Sequence, residues 1–515
     1  MSASTRVSLL ACASITMLAG TSGLARAQAD AAAASAPLYT EPLRPQVHFS
    51  PPTHFMNDPN GLLYANGIFN LYYQYNPITY VAGNQAWGHA VSQDLLHWKN
   101  EPIAIPELPT GQIFSGSAVQ DTNNTSGFFP GMRGGGLVAI YSLNTPTKQV
   151  QNIAYSRDGG KSYIQYVGNP VIDVGNLNFR DPQVQWYAPG NRWLMTVALA
   201  QQHQILFYSS KDLKSWSKTG SFGPAGLLGQ AYECPNMVRV PVAGTNEFKW
   251  VLFISINPGA PQGGSATQYF VGNFDGQTFT PDTPVIRFID FAKDNYAMQV
   301  YNGLAPQAPV AIGWLSNWEY TQVAPTFPWR GTMTLPRVLS LRNEADGWHL
   351  LQNPVPLSSL ARSPIYQGSP TLEGRAMDIP FASGQPIEFQ ATLHATGKQV
   401  ARFTVHNGSG ENVVIGYDFG AQTAFVQRGA TRGFDNPFYT NDFSSYLALN
   451  KDAVEVHGII DRSVMEIFFD QGEQVATSVF YMKAPPNGIS LGTSGGDVAT
   501  TDVVVRTLRS VWTGL

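Results

Sequence analysis

The sequence predicts an all-β protein, a five-bladed β-propeller followed by a C-terminal β-sandwich. Three observations carry this expectation. Charged residues make up 13% of the 515-residue chain, while Gly (49) and Pro (36) are abundant. An ordinary soluble domain carries about 25% charge, so this balance favours strands and tight turns over long solvated helices. A short segment then recurs, with Asp at positions 94, 158, 212 and 275. Finally, the composition shifts near residue 345, and a second strand-rich region follows.

The recurring segment reads Ser92-Gln93-Asp94-Leu95-Leu96-His97-Trp98, then Ser156 to Tyr163, then Ser210 to Trp216, and more loosely Asn273 to Phe279. Each copy fits a hairpin turn. The Asp or Ser side chain bonds the turn backbone, and the aromatic residue opens the returning strand. Strand repeats of about 60 residues are the mark of a propeller, and residues 45–345 hold about five such units. Asn353-Pro354-Val355-Pro356 and the Ser/Pro-rich stretch after it read as a linker over 346–370. Beyond it, Ile387, Phe389, Ala391 and Leu393 alternate with Glu388, Gln390, Thr392 and His394. That is a half-buried strand, and the region 371–515 is expected to form the sandwich.

The first 29 residues read as a signal peptide. Arg6 precedes an apolar run from Val7 to Gly20, and Ala25-Arg26-Ala27 and Ala27-Gln28-Ala29 both fit a cleavage site. The run is too short to span a bilayer, so a secreted protein with no membrane association is expected. Cleavage would remove Cys12 and leave Cys234 as a single thiol, with no intramolecular disulfide and no cysteine-based zinc cluster. None of the nine histidines has metal-ligand spacing with another His or Cys. The net charge of −4, without any Lys/Arg stripe, gives no reason to expect nucleic acid or an anionic membrane as a partner.

Three segments place an acid beside a turn residue: Phe55-Met56-Asn57-Asp58-Pro59-Asn60-Gly61, Phe179-Arg180-Asp181-Pro182 and Tyr232-Glu233-Cys234-Pro235. Singly each passes for an ordinary turn. They fall, however, in three different expected blades, and equivalent points of successive blades converge on a propeller's central channel. Two carboxyl groups about 5 Å apart suit a retaining glycosidase, in which one attacks the anomeric carbon and the other protonates the leaving oxygen. Arg180 beside Asp181 is expected to keep that carboxylate charged. Asn, Gln, Trp and Ser close to the acids suit a sugar, with hydroxyls to bond and an apolar face to pack.

These segments resemble the signature motifs of glycoside hydrolase family 32, which contains invertases, exo-inulinases and levanases. Further likeness lies in Tyr72 to Pro77, Trp87-Gly88-His89-Ala90, Phe114-Ser115-Gly116-Ser117, Ser255 to Gly259, Gly313 to Trp318 and Asp461 to Glu466. The resemblance implies a five-bladed propeller joined to a β-sandwich. It makes Asp58 the nucleophile, Glu233 the general acid/base and Asp181 the acid that stabilises the transition state through sugar hydroxyls. Asn57, Gln74, Ser117, Arg180 and Trp318 match positions that hold the terminal fructose, and Trp314 is divided between that role and core packing. No metal or organic cofactor is implied.

The substrate expected on this basis is a fructan or sucrose, attacked from its fructose end. A homodimer, if formed, is expected through the sandwich. Two departures from the family pattern stand out. Phe55 replaces the Trp that usually begins the first motif, and the segment Asn76 to Asn84 lacks the Trp that many relatives place near Ala82. Both bear on substrate choice and on transfer versus hydrolysis. The rival readings are a fructosyltransferase using the same acids, and a carbohydrate-binding propeller without turnover.

Overall fold

Five antiparallel sheets follow one another along the first 354 residues of the computed structural model, which describes residues 39–446 and 448–512. Their first strands are His54–Ala65, Gln112–Asp121, Phe179–Tyr187, Tyr232–Pro241 and Tyr296–Val300. Each of these strands contacts the next, and the fifth returns to contact the first, so the five sheets stand around a closed ring as the blades of a propeller. The ring is sealed by Trp329–Arg330, which pairs in parallel with His54 and Phe55. Burial explains the strand sequences. A middle strand such as Gly136–Asn144, packed between two neighbouring blades, is buried on both faces and so reads as a near-continuous apolar run. The outer strand Lys99–Ile105 is largely wet.

The recurring Ser/Asp segments all connect the third and fourth strands of their blades, as expected. Leu95 N–H donates to Ser92 Oγ (2.9 Å) and His97 N–H to Asp94 Oδ1 (2.8 Å). Gly160 N–H donates to Ser156 Oγ (2.8 Å), Ser215 N–H to Asp212 Oδ1 (2.7 Å) and Thr278 N–H to Asp275 Oδ1 (2.7 Å). The side chains supply acceptors that the tight turn denies its own backbone.

The expected linker needs correction. Residues 347–354 form the strand Gly347–Pro354, which pairs with Arg337–Glu344 and completes the fifth blade. Ala361–Gly368 already pairs with the last strand of the sandwich, Val498–Leu508. The connection is therefore only residues 355–360, and within it Val355, Leu357 and Leu360 are buried. Prolines in this stretch suggested an open linker, but Pro354 and Pro364 occupy strands. The expected leader, residues 1–29, lies outside the described residues. Among those described, no helix is long and apolar enough to cross a membrane.

The C-terminal region, residues 361–508, packs two antiparallel sheets over a core that includes Phe389, Phe403, Ile415, Val426, Ile467 and Leu491. One sheet turns its other face to the propeller, and the junction buries charge. His48 Nδ1 bonds Asp461 Oδ2 and its Nε2 bonds Glu466 Oε1, both at 3.0 Å. Glu466 also accepts from Arg337 Nε (3.0 Å) and from Leu335 N–H (2.5 Å). Thus Asp461 to Glu466, a segment of the sandwich, is tied to the segment that leads into blade one.

Candidate active site

A β-bulge interrupts every one of the five inner strands at a corresponding place. The unpaired residues are Asn57-Asp58, Phe114-Ser115, Asp181-Pro182, Cys234-Pro235 and Ala297-Met298. A bulge breaks the in-out alternation of a strand and re-aims its side chains. Here it turns them into one end of the channel. Three of the bulges begin with a residue in the left-handed region: Asp181 (φ 65°), Cys234 (φ 46°) and Ala297 (φ 53°). For a side chain other than glycine that conformation costs about 1–2 kcal/mol, and it is held by the surrounding packing. Each of the three acid-bearing segments contains one of these bulges.

The acids do meet. Asp58, Asp181, Glu233, Asn57, Gln74, Arg180 and Trp318 all line one cavity of about 400 Å3. Asp58 and Asp181 come within 3.4 and 3.6 Å of the same Cys234 sulfur. Asp181 Oδ2 also accepts from Cys234 N–H at 2.9 Å. Asp58 Oδ2 accepts from Ser115 Oγ at 2.8 Å, and Asn57 Nδ2 donates to Asp58 Oδ1 at 3.2 Å. Burial pushes the Cys234 thiol well up, and the carboxylates around it push it further, so it stays a neutral donor between two acceptors.

Glu233 lies one position before its bulge and is less enclosed than the two aspartates. The corresponding positions of blades three and five are Arg180 and Tyr296. Both reach Glu233: Arg180 Nε donates to Oε1 at 2.9 Å, and Tyr296 OH donates to Oε2. The charge of Arg180 does pull Asp181 down, as expected, but not through a direct hydrogen bond. Its direct partner is Glu233 on the next blade and not the adjacent Asp181, because neighbouring residues in a strand point apart while equivalent residues of adjacent blades point together.

The carboxyl cluster holds more negative charge than its one guanidinium balances. Asp181 is lifted to about 7, by burial first and by the charges of Glu233 and Asp58, against the opposing pull of Arg180. Asp58 is also raised by burial and by Glu233, with the Ser115 hydroxyl holding it back.

Ser117 is the expected site residue that the structure moves away. It is buried, and its hydroxyl accepts from Val184 N–H of the next blade at 2.8 Å. It does not line the cavity; Ser115 does. The two serines sit two residues apart across the bulge, and the sequence carries no mark of which one faces the channel. Replacing Ser115 by Ala is expected to lower kcat/KM about tenfold, the worth of one hydrogen bond to a charged group. Ser117→Ala is expected to leave kinetics within about twofold and to cost about 1 kcal/mol of stability by orphaning the Val184 N–H. Paired kinetics and urea melts of the two variants check this.

Gln85, Gln112, Phe114 and Asn257 also line the cavity, and Gln85 Nε2 donates to Asn57 Oδ1 (3.2 Å). Phe114 and Asn257 stand in segments marked by the family resemblance but were given no role, and Gln85, Gln112 and Tyr296 lie outside every marked segment. Trp314 is fully buried and belongs to the core, packed with Phe55, Tyr296, Ala297 and Cys234. Phe55 is likewise buried, 6.0 Å from the Trp318 ring, so it backs the cavity wall. Ala82 lines the cavity directly. Among the described residues no group of three or more His, Cys, Asp or Glu is placed to hold a metal ion.

The far end of the channel is closed. Buried residues of four inner strands fill it, with Asn60, Ala118, Val184 and Asn236 at most 1% exposed, and Asn302 of blade five bridges two of these strands, its Nδ2 donating to Ala118 O and Val184 O, both at 2.9 Å. The cavity is therefore a pocket with one mouth.

Comparison with known proteins agrees with this architecture. Residues 48–354 match the model for the glycosyl hydrolases family 32 N-terminal domain, and residues 358–507 match that for the family 32 C terminal. The chain is 40% identical to an invertase of Schizosaccharomyces pombe, over 91% of this chain and 86% of the relative. It is 42% identical to an extracellular exo-inulinase of Meyerozyma guilliermondii, over 86% and 90%. The crystal structure of exo-inulinase from Aspergillus awamori superposes with a TM-score of 0.88 at 35% identity, covering 92% of this chain and all of that one. Propeller, sandwich and carboxyl-lined pocket together belong to one lineage, and the chain is a member of glycosyl hydrolase family 32.

Proposed function

We propose that this glycoside hydrolase is a retaining, exo-acting β-fructosidase that releases terminal β-D-fructofuranosyl units from sucrose, inulin or levan. The observation that carries the reading is the convergence of Asp58, Asp181 and Glu233, from three blades, on one single-mouthed pocket. A pocket closed at its base admits a chain end and excludes a chain passing through.

Asp58, oriented by Ser115 and Asn57, attacks C2 of the fructosyl unit. Glu233, held by Arg180 and Tyr296 at the mouth side, gives its proton to the leaving oxygen, then takes one from the water that releases fructose. The net configuration is retained because C2 is inverted twice. Asp181 accepts hydrogen bonds from the sugar hydroxyls. In the empty pocket burial favours a proton on Asp181; arriving hydroxyl donors favour its ionised form, which is the acceptor the sugar needs. Arg180, Gln74, Asn57 and Trp318 hold the terminal sugar.

Product profiling tests the reading. Fructose as the only early product from inulin and levan, appearing first as the β-anomer by NMR, is the expected result. Oligosaccharides released from the polymers, or chain lengthening on concentrated sucrose, would overturn exo-hydrolysis in favour of endo attack or transfer. The same reading includes secretion after removal of residues 1–29, and pairing of two chains through the sandwich, which N-terminal sequencing and light scattering would check.

A further inference from the structure

A second cavity, of about 380 Å3, opens at the opposite end of the propeller channel. It lies behind the Asn302 closure, so it is separate from the carboxyl pocket. Tyr64, which lines it, stands six residues after Asp58 on one strand, roughly 20 Å along. Its walls come from four blades, and its chemistry is specific. Trp186 ends an inner strand, where the residues around it are mostly buried, yet 38% of its surface is exposed. Its indole is fixed rather than loose. It packs edge-on to Trp193 with centroids 5.0 Å apart, and Trp193 is anchored by Nε1 donating to Thr125 Oγ1 at 2.9 Å.

Beside this platform stand the amides of Gln120, Asn123 and Asn302; Gln120 Nε2 donates to Gly134 O at 3.1 Å and Asn302 Nδ2 to its two carbonyls, so these two offer their amide oxygens. The lining contains no Lys, Arg or His, and its single carboxylate, Asp121, is taken up by the backbone N–H and hydroxyl groups of Thr125 and Ser126. A phosphate or other anion finds no counter-charge here, and a cation finds no unengaged carboxylate. A rigid exposed indole ringed by neutral amides instead matches a neutral sugar, whose C–H face packs on the ring while its hydroxyls bond the amides.

We infer that this cavity is a second carbohydrate site that holds a neutral fructan chain away from the point of cleavage. The inference rests on the function proposed above for the substrate class. Its role would be to keep the polymer on the enzyme, so that a chain end is presented at high local concentration to the pocket on the other face.

The test uses the full chain carrying Asp58→Asn, so that polymer is not consumed, with excess free fructose to occupy the carboxyl pocket. Retardation in native gels containing levan or inulin is measured, with dextran as the control polymer. Retardation by fructan is expected, weakened about fivefold by an added Trp186→Ala and similarly by Gln120→Ala. In the active enzyme Trp186→Ala should raise KM for polymeric fructan about fivefold and leave kcat/KM on sucrose within twofold. Equal retardation with and without Trp186→Ala and Gln120→Ala would overturn the site. Equal retention on dextran would overturn the fructan assignment, and a parallel fall on sucrose would make Trp186 a structural residue. If the parent enzyme cleaves no fructoside, the proposed function fails, while the retardation assay still reads the second site.

Discussion

Asp58→Asn is expected to abolish turnover, with kcat on sucrose or inulin falling by about 10⁴-fold or more, the scale seen when a nucleophile is removed from a covalent mechanism. The amide matches the carboxylate in shape, and Ser115 and Asn57 remain beside it. What is lost is the negative charge that must attack C2. Folding is expected to be unharmed, because Asp58 sits buried among like charges that raise it above the ordinary carboxylate range, and neutralising it relieves that cost. The readout that separates a nucleophile from a merely structural acid is rescue. In Asp58→Ala, where the side chain is cut away, a small external anion such as azide should fit the vacated position and restore partial activity, giving a fructosyl azide whose C2 configuration is opposite to the substrate's. Full activity in Asp58→Asn would overturn the assignment.

Glu466→Ala is expected to destabilise the protein by about 3–5 kcal/mol, the cost of removing one partner from a buried ion network. Glu466 is completely buried and meets both Arg337 and His48. Its loss leaves two buried cations without their shared carboxylate, at the junction of propeller and sandwich. The same network makes stability depend on pH. Burial alone would lower His48, but hydrogen bonds to Asp461 and Glu466 lift it to about 9. A raised histidine contributes its full stabilisation below about pH 6.5, and that contribution fades as pH rises through about 9. Glu466 is held below the ordinary glutamate range, by Arg337 and then His48, against burial. Its contribution is therefore present above that range and lost on acidification. Urea midpoints measured from pH 4 to 10 should fall at both ends, and His48→Gln should flatten the alkaline fall.

Much of the architecture was legible because its signals are local. The Ser/Asp turns are closed by side chains within four residues of the backbone groups they bond, so their spacing exposed the blade period. Alternation from Ile387 to Leu393 marked a sandwich strand for the same reason. Glu388 is the exception on that strand: it is buried, bonding His457 at 2.9 Å and facing Arg506 at 3.5 Å, because partner strands supply polar groups that periodicity does not register. The linker was misplaced because prolines were read as breaks, whereas a strand with Pro at its end can still complete a blade.

The three acids were also legible, as charged residues in turn-like settings repeated on a periodic scaffold. Which neighbour each one contacts was not. Sequence adjacency suggested Arg180 for Asp181, and the family resemblance suggested Ser117 for the pocket. The folded ring instead sets Arg180 and Tyr296 on Glu233, and Ser115 on Asp58. It also brings Asp461 and Glu466 back to His48 across more than 400 residues. The sequence by itself determined the class of fold, the repeat and the acidic residues, since turn chemistry and strand periodicity act over a few residues. The tertiary structure decided the partners, because a bulge of one residue reverses which side chain faces the channel, and contacts between blades have no trace in local order.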